Sequence, residues 1–188
     1  IAQPASVVFI AQPQNAVAGV TMGVITVEVK DASNATISGI DVVLTSTEQT
    51  DVFGTTTVAT DSNGIATFND INLTSGGYGH TLTAVSGGVT STDSAPFDLT
   101  HGPLDQFLVF SDMNPIINNG PGSGIIMAVD EYANLIDDDF STVVTMGATL
   151  VNTASVTYYT DDTYQTPTTD STLGDIGPGY KSLFTCSG

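Results

Sequence analysis

Residues Thr60-Asp-Ser-Asn-Gly-Ile-Ala-Thr-Phe-Asn-Asp-Ile71 decide how this chain is read. Asp61-Ser-Asn-Gly64 is turn material, because Asn and Gly tolerate positive φ and an Asp carboxylate can bond the backbone two residues on. Ile65, Thr67 and Asn69 then alternate with Ala66 and Phe68, the period of a half-buried strand. A further strand follows, with Tyr78, His80, Leu82 and Ala84 on one face. The stretch predicts an all-β chain.

Upstream, the apolar run Ala5–Ile10 is a first strand, ended at Pro13, which has no amide to donate. Residues 14–20 are expected to be a loop. Ile25, Val27 and Val29 alternate with Thr26, Glu28 and Lys30 in a second strand, closed by the turn Asp31-Ala-Ser-Asn34. Ile40–Thr45 is a third strand, and Val52–Ala59 a strand pair interrupted by Gly54. Downstream, Tyr78–Val85 is a penultimate strand, Gly87-Gly88 a hairpin, and Thr90–Leu99 a closing strand with Pro96 at an edge. Seven or so short strands, with turn signals every eight to twelve residues or so, are the pattern of an immunoglobulin-like β-sandwich.

After Thr100-His-Gly-Pro103 the pattern restarts. Phe107–Phe110 answers the first strand, Ser123–Val129 with Asp130 answers the strand that ends at Asp31, and Asn134 answers Asn34 with one residue inserted. Thr142-Val-Val-Thr145 answers Val42-Val-Leu-Thr45. Tyr180, Phe184 and Cys186 answer Tyr78, Leu82 and Ala84, each at a shift of 180 − 78 = 102. A period near a hundred residues predicts two tandem immunoglobulin-like β-sandwiches, at 1–102 and 103–188. On this register the second lacks its closing strand. Two explanations stand open: the sequence is a piece of a longer chain, or another subunit supplies a strand.

Phe9-Ile-Ala-Gln-Pro13, Val27-x-Val-x-Asp31, Val42-Val-Leu-Thr45, Thr60-Asp-x-Asn-Gly-x-Ala-Thr-Phe68 and Tyr78-x-x-Thr-Leu-Thr-Ala84 together resemble the bacterial immunoglobulin-like repeats of the invasin and intimin type. The resemblance covers most of residues 5–99. The second half departs from it, with Asp170-Ser-Thr172 where Asp-x-Asn-Gly should stand. The resemblance implies an extracellular structural module of a prokaryotic adhesin, stalk or filament. Its partners would be other copies or neighbouring repeats, and it would not be an enzyme.

Composition narrows the partners. Twenty acids against two bases, Lys30 and Lys181, give −18. Such a surface repels nucleic acid and anionic lipid, which are held by cations. No run approaches the ~18 apolar residues of a membrane span. Cys186 is the single cysteine, so no internal disulfide forms. Ile1 is read as a processed end or a fragment edge.

No catalytic constellation emerges. His80 and His101 are the two histidines, too few with one distant Cys for a zinc site. No Gly-x-Ser-x-Gly elbow exists. Asp137, Asp138 and Asp139, with Asp130 upstream, form an acidic cluster that suits calcium, a hard cation wanting oxygen ligands; a solvated loop is the competing view. Asp61 and Asn63 are turn residues before they are ligands. Asn34 and Asn72 open two N-glycosylation sequons. Tyr78 and Tyr180 are read either as tyrosine corners or as core aromatics. Tyr158, Tyr159 and Tyr164 are the aromatic cluster of an alternative function, a module binding a carbohydrate or host receptor. Lys30 and Lys181 fall on outward phases, unsuited to an isopeptide crosslink.

Overall fold

A computed structural model describes residues 2–46, 52–111 and 122–137, and the strand segments 144–145, 157–159, 167–168, 172–173 and 180–187. Among the described residues every regular element is a strand. The chain separates into two compact units, Ile1–Gly102 and Pro103–Gly188.

The first unit contains β1 (Ser6–Ala11), β2 (Ala16–Val17), β3 (Ile25–Lys30), β4 (Asp41–Ser46), β5 (Val52–Phe53), β6 (Thr57–Ala59), β7 (Ile65–Phe68), β8 (Asn72–Leu73), β9 (Gly77–His80), β10 (Leu82–Ser86), β11 (Val89–Thr90) and β12 (Phe97–Thr100). One sheet runs β1-β3-β7. Facing elements run β11-β10-β4-β6 and β2-β12-β9, and β5 pairs with β8. The alternation seen in the sequence decides what lies between them. Ile25, Val27 and Val29 are fully buried while Thr26, Glu28 and Lys30 are half-buried on the other face. Val7, Phe9, Ala66 and Phe68 join them from the same sheet, and Val42, Leu44, Leu82, Ala84, Phe97 and Leu99 close the core from the facing strands. Burial of this apolar surface is the main force holding the sheets together. Lys30 meets Glu28 at 2.7 Å on that outer face, a half-buried pair still open to solvent and of small energetic weight.

Three expectations fail in this unit. Thr90–Leu99 is not one closing strand but β11 and β12, in different sheets, with residues 91–96 between them. Residues 14–20 are not all loop, since Ala16–Val17 forms β2 and pairs parallel with β12. Tyr78 does not share a face with His80. Gly79 between them has φ 74, which breaks the extended alternation. His80 is buried beside Phe97, ring centroids 5.9 Å apart, while Tyr78 is 79% exposed. Tyr78 is therefore neither a tyrosine corner nor a core residue.

The second unit contains β13 (Gln106–Ser111), β14 (Gly122–Val129), β15 (Val144–Thr145), β16 (Thr157–Tyr159), β17 (Pro167–Thr168), β18 (Thr172–Leu173) and β19 (Tyr180–Ser187). Its first antiparallel pair, β13 with β14, repeats the pair β1 with β3 of the first unit. Gln106 opposes Val129 and Phe107 opposes Ala128, as Ser6 opposes Lys30 and Val7 opposes Val29. The shifts are 106 − 6 = 100 on the first strand and 129 − 30 = 99 on the second.

Beyond β14 the two units diverge. The larger sheet runs β13-β14-β19-β16-β17, and β19 pairs directly with β14 through Gly124↔Phe184 and Ile125↔Leu183. In the first unit that flank of β3 is taken by β7, through Val27↔Ala66. The penultimate strand β10 lies in the facing sheet, beside β4. Tyr180–Cys186 therefore does not occupy the place of Tyr78–Ala84, the correspondence on which a missing last strand depended. Alternation fixes which face of a strand is buried, but it does not name the strand's neighbour.

Candidate functional site

Three aspartates build the same five-residue turn. Asp31 Oδ1 accepts the amides of Ser33 (2.9 Å) and Ala35 (3.0 Å). Asp61 Oδ1 accepts those of Asn63 (2.8 Å) and Ile65 (3.0 Å). Asp130 Oδ1 accepts those of Tyr132 and Asn134, both at 2.9 Å. In each turn the backbone closes twice more. The Asp amide donates to the carbonyl four residues on, and the amide three residues on donates to the Asp carbonyl. The residue three after Asp is left-handed each time: Asn34 at φ 67, Gly64 at φ 75, Ala133 at φ 65. A side-chain donor completes the set, Ser33 Oγ at 2.7 Å, Asn63 Nδ2 at 3.2 Å or Asn134 Nδ2 at 2.8 Å.

This geometry corrects the sequence correspondence of Asn134 with Asn34. The left-handed position of Asn34 is held in the second unit by Ala133, and Asn134 stands where Ala35 stands. No residue is inserted.

The same geometry tells what Asp130 does. It is fully buried, and its two oxygens accept the three N–H donors just named. It is the keystone of a turn. Asp137 is exposed, and Asp138 and Asp139 lie outside the described residues. Among the described residues no three His, Cys, Asp or Glu side chains come together as a metal site. Asn34 is exposed at its turn tip, while Asn72 is half-buried in β8 opposite Phe53. Tyr158 and Tyr159 fall in β16, opposite Thr168 and Pro167. Tyr164 is outside the described residues. Cys186 in β19 opposes Gly122 and Tyr158. His101 Nδ1 lies 2.7 Å from the Gly102 carbonyl.

Hydrogen bonds to the ionised carboxylates lower three pKa values. For Asp31 the Ser33 hydroxyl contributes most, then the Ala35 amide. For Asp61 it is the Ile65 amide, then that of Asn63. For Asp70 it is the Thr55 hydroxyl at 2.7 Å, then the Thr55 amide at 3.0 Å. A carboxyl whose folded pKa is depressed stabilises the fold above its unfolded pKa, and that contribution disappears as pH falls through the folded value. The melting temperature should therefore decline as pH drops below about 4. Replacing Asp31, Asp61 and Asp70 together by Asn should flatten that decline in thermal melts. An unchanged slope would show that other acids set it.

Sequence reasoning missed a second construction, which joins β2, near the start of the first unit, to β12, its last strand. β2 and β12 run parallel, Ala16 beside Leu99 and Val17 beside Thr100. Ala18 donates to the Thr100 carbonyl at 2.8 Å, and Thr100 Oγ1 to that of Ala16 at 3.4 Å. Pro13 and Pro96 lie in these segments and have no amide to offer. Side chains extend the contact instead: Gln12 Oε1 accepts the Ala95 amide and Asn15 Oδ1 the Asp98 amide, both at 2.9 Å. The cluster of amide side chains around Pro13 was the available signal. Two-residue strands carry no period to detect.

No protein-family model matches the chain, and no curated protein matches it. Among solved structures, the adhesin InvE of Yersinia pseudotuberculosis aligns at 18% identity with a TM-score of 0.44, over 96% of this chain and 50% of that one. Domains 4–9 of the surface layer protein SbsC align at 16% identity with a TM-score of 0.36, over 98% of this chain and 27% of that one. The chain thus spans half or less of the length of these structures.

Proposed function

We propose that this chain is a structural, force-bearing module of a prokaryotic cell surface, part of an adhesin stalk or filament in which modules join end to end. The parallel pairing of β2 with β12 carries the proposal. Because β2 and β12 run in the same direction, the chain enters β2 and leaves β12 at opposite ends of their shared seam. A pull on those ends loads the β2–β12 bonds together, in shear, instead of opening them one at a time. The bonds from Gln12 and Asn15 add to the same seam. The acidic surface and the resemblance of residues 5–99 to adhesin repeats favour an extracellular setting, neighbouring modules as partners, and no catalytic role.

The test is to stretch the whole chain from its two ends in single-molecule force spectroscopy. Unfolding of the first unit releases roughly 350 Å of chain, at about 3.4 Å per residue. Gln12→Ala with Asn15→Ala should lower the force of that event without changing its length. An event that yields at low force in the unaltered chain, or is indifferent to both substitutions, retires the proposal. Binding of a glycan or receptor that is lost on replacing Tyr158, Tyr159 and Tyr164 would instead select the recognition module.

A further inference from the structure

Asn63-Gly64 is a dipeptide with a built-in chemical weakness. The Gly64 amide nitrogen, once deprotonated, can attack Asn63 Cγ, because glycine has no side chain to obstruct the approach. A new N–Cγ bond forms, the side-chain nitrogen leaves as ammonia, and a five-membered imide results. One water then opens the ring at either carbonyl, leaving aspartate or isoaspartate. Isoaspartate puts an extra methylene into the backbone, directly before β7.

We infer that the Asp61 turn is a guard against this reaction and that Asp61 is its positioning residue. The attacking nitrogen is engaged, since Gly64 N–H donates to the Asp61 carbonyl at 3.0 Å. The electrophile is engaged as well, with Asn63 Nδ2 on Asp61 Oδ2 at 3.2 Å and the Asn63 amide on Oδ1 at 2.8 Å. The peptide between them has little room to rotate. The Gly64 carbonyl accepts the Val29 amide at 2.9 Å. A Cβ built on Gly64 would lie 2.8 Å from Thr36 Cβ and 3.0 Å from the Val29 carbonyl oxygen, which shows how closely β3 and the residue just past its turn pack here. Attack on Cγ requires Gly64 N–H to leave the Asp61 carbonyl and the Asn63 side chain to leave Oδ2 at the same moment. The two sister turns hold Ser33 and Tyr132 at this position, so the turn does not itself demand Asn. Where Asn is used, both carboxylate oxygens of Asp61 hold it.

The experiment incubates the intact chain at mildly alkaline pH and follows isoaspartate at residue 63 by peptide mass mapping. The same chain unfolded in urea gives the unguarded rate. Folded wild type should react about tenfold or more slowly than that, as expected if two or more hydrogen bonds must open first. Asp61→Asn keeps the Oδ1 acceptor but replaces Oδ2 by a donor, and should react several-fold faster than wild type while still folded. Val42→Ala, which destabilises the core away from the turn, should keep the wild-type rate under conditions where it remains folded. Folded wild type reacting as fast as the unfolded chain would overturn the inference, as would an Asp61→Asn variant as slow as wild type.

Discussion

Phe68→Ala should unfold the first unit or bring it close to unfolding. Phe68 ends β7 opposite Ile25, is 1% exposed, and is among the largest fully buried side chains of the core. Its removal loses the transfer energy of a phenyl ring and leaves a cavity that two hydrogen-bonded sheets cannot readily close. The cost is about 3–5 kcal/mol, against a total stability of about 5–15 kcal/mol for a typical domain. Urea denaturation of the full chain measures it. Phe53→Ala, at a ring 45% exposed, should cost about 1 kcal/mol or less. Equal losses at the two positions would mean that the sheets do not enclose a core at Phe68.

Gly64→Ala should be nearly as damaging, for a different reason. At φ 75 an alanine pays the left-handed penalty, about 1–2 kcal/mol. Its Cβ would also stand 2.8 Å from Thr36 Cβ, 3.0 Å from the Val29 carbonyl oxygen and 3.1 Å from the Ile37 amide nitrogen. Two of those atoms are backbone within the β3 hairpin, so relief means moving a strand. Overpacking of this kind adds about 1–3 kcal/mol. Gly79→Ala separates the two contributions. Its φ is 74, but its Cβ would meet nothing within 4 Å, so only the backbone penalty applies. Thermal melts should place Gly64→Ala clearly below Gly79→Ala. If the two coincide, the packing of Gly64 against Val29, Thr36 and Ile37 is looser than these distances.

Much of the first unit was legible because its strands are half-buried and alternate. Ile25, Val27 and Val29, then Val42 and Leu44, announce their inward face two residues at a time. The segments that escaped are those without a period. Ala16–Val17 is too short to alternate, and its partner lies 99 − 16 = 83 residues away, flanked by side-chain amides. Tyr78 escaped because a single positive φ at Gly79 reverses the phase, and nothing at Tyr78 itself records that. The place of Tyr180–Cys186 escaped because a strand's own pattern does not encode its neighbour. Among the candidate sites, Asp61 was legible as a turn because Asn-Gly follows it. Asp130 makes the same turn with Ala133 and Asn134, letters that carry no Asn-Gly signal.

That difference bears on how such modules are found in other chains. Across the three turns, the position before the left-handed residue is Ser, Asn or Tyr, and the left-handed residue is Asn, Gly or Ala. Only the leading acid is common to all three. A pattern keyed to Asp-x-Asn-Gly would detect one of them, and repeats built on the other two would pass as unrelated sequence. What persists is a carboxylate facing the amides two and four positions ahead, a rule of spacing that letter-by-letter similarity does not capture.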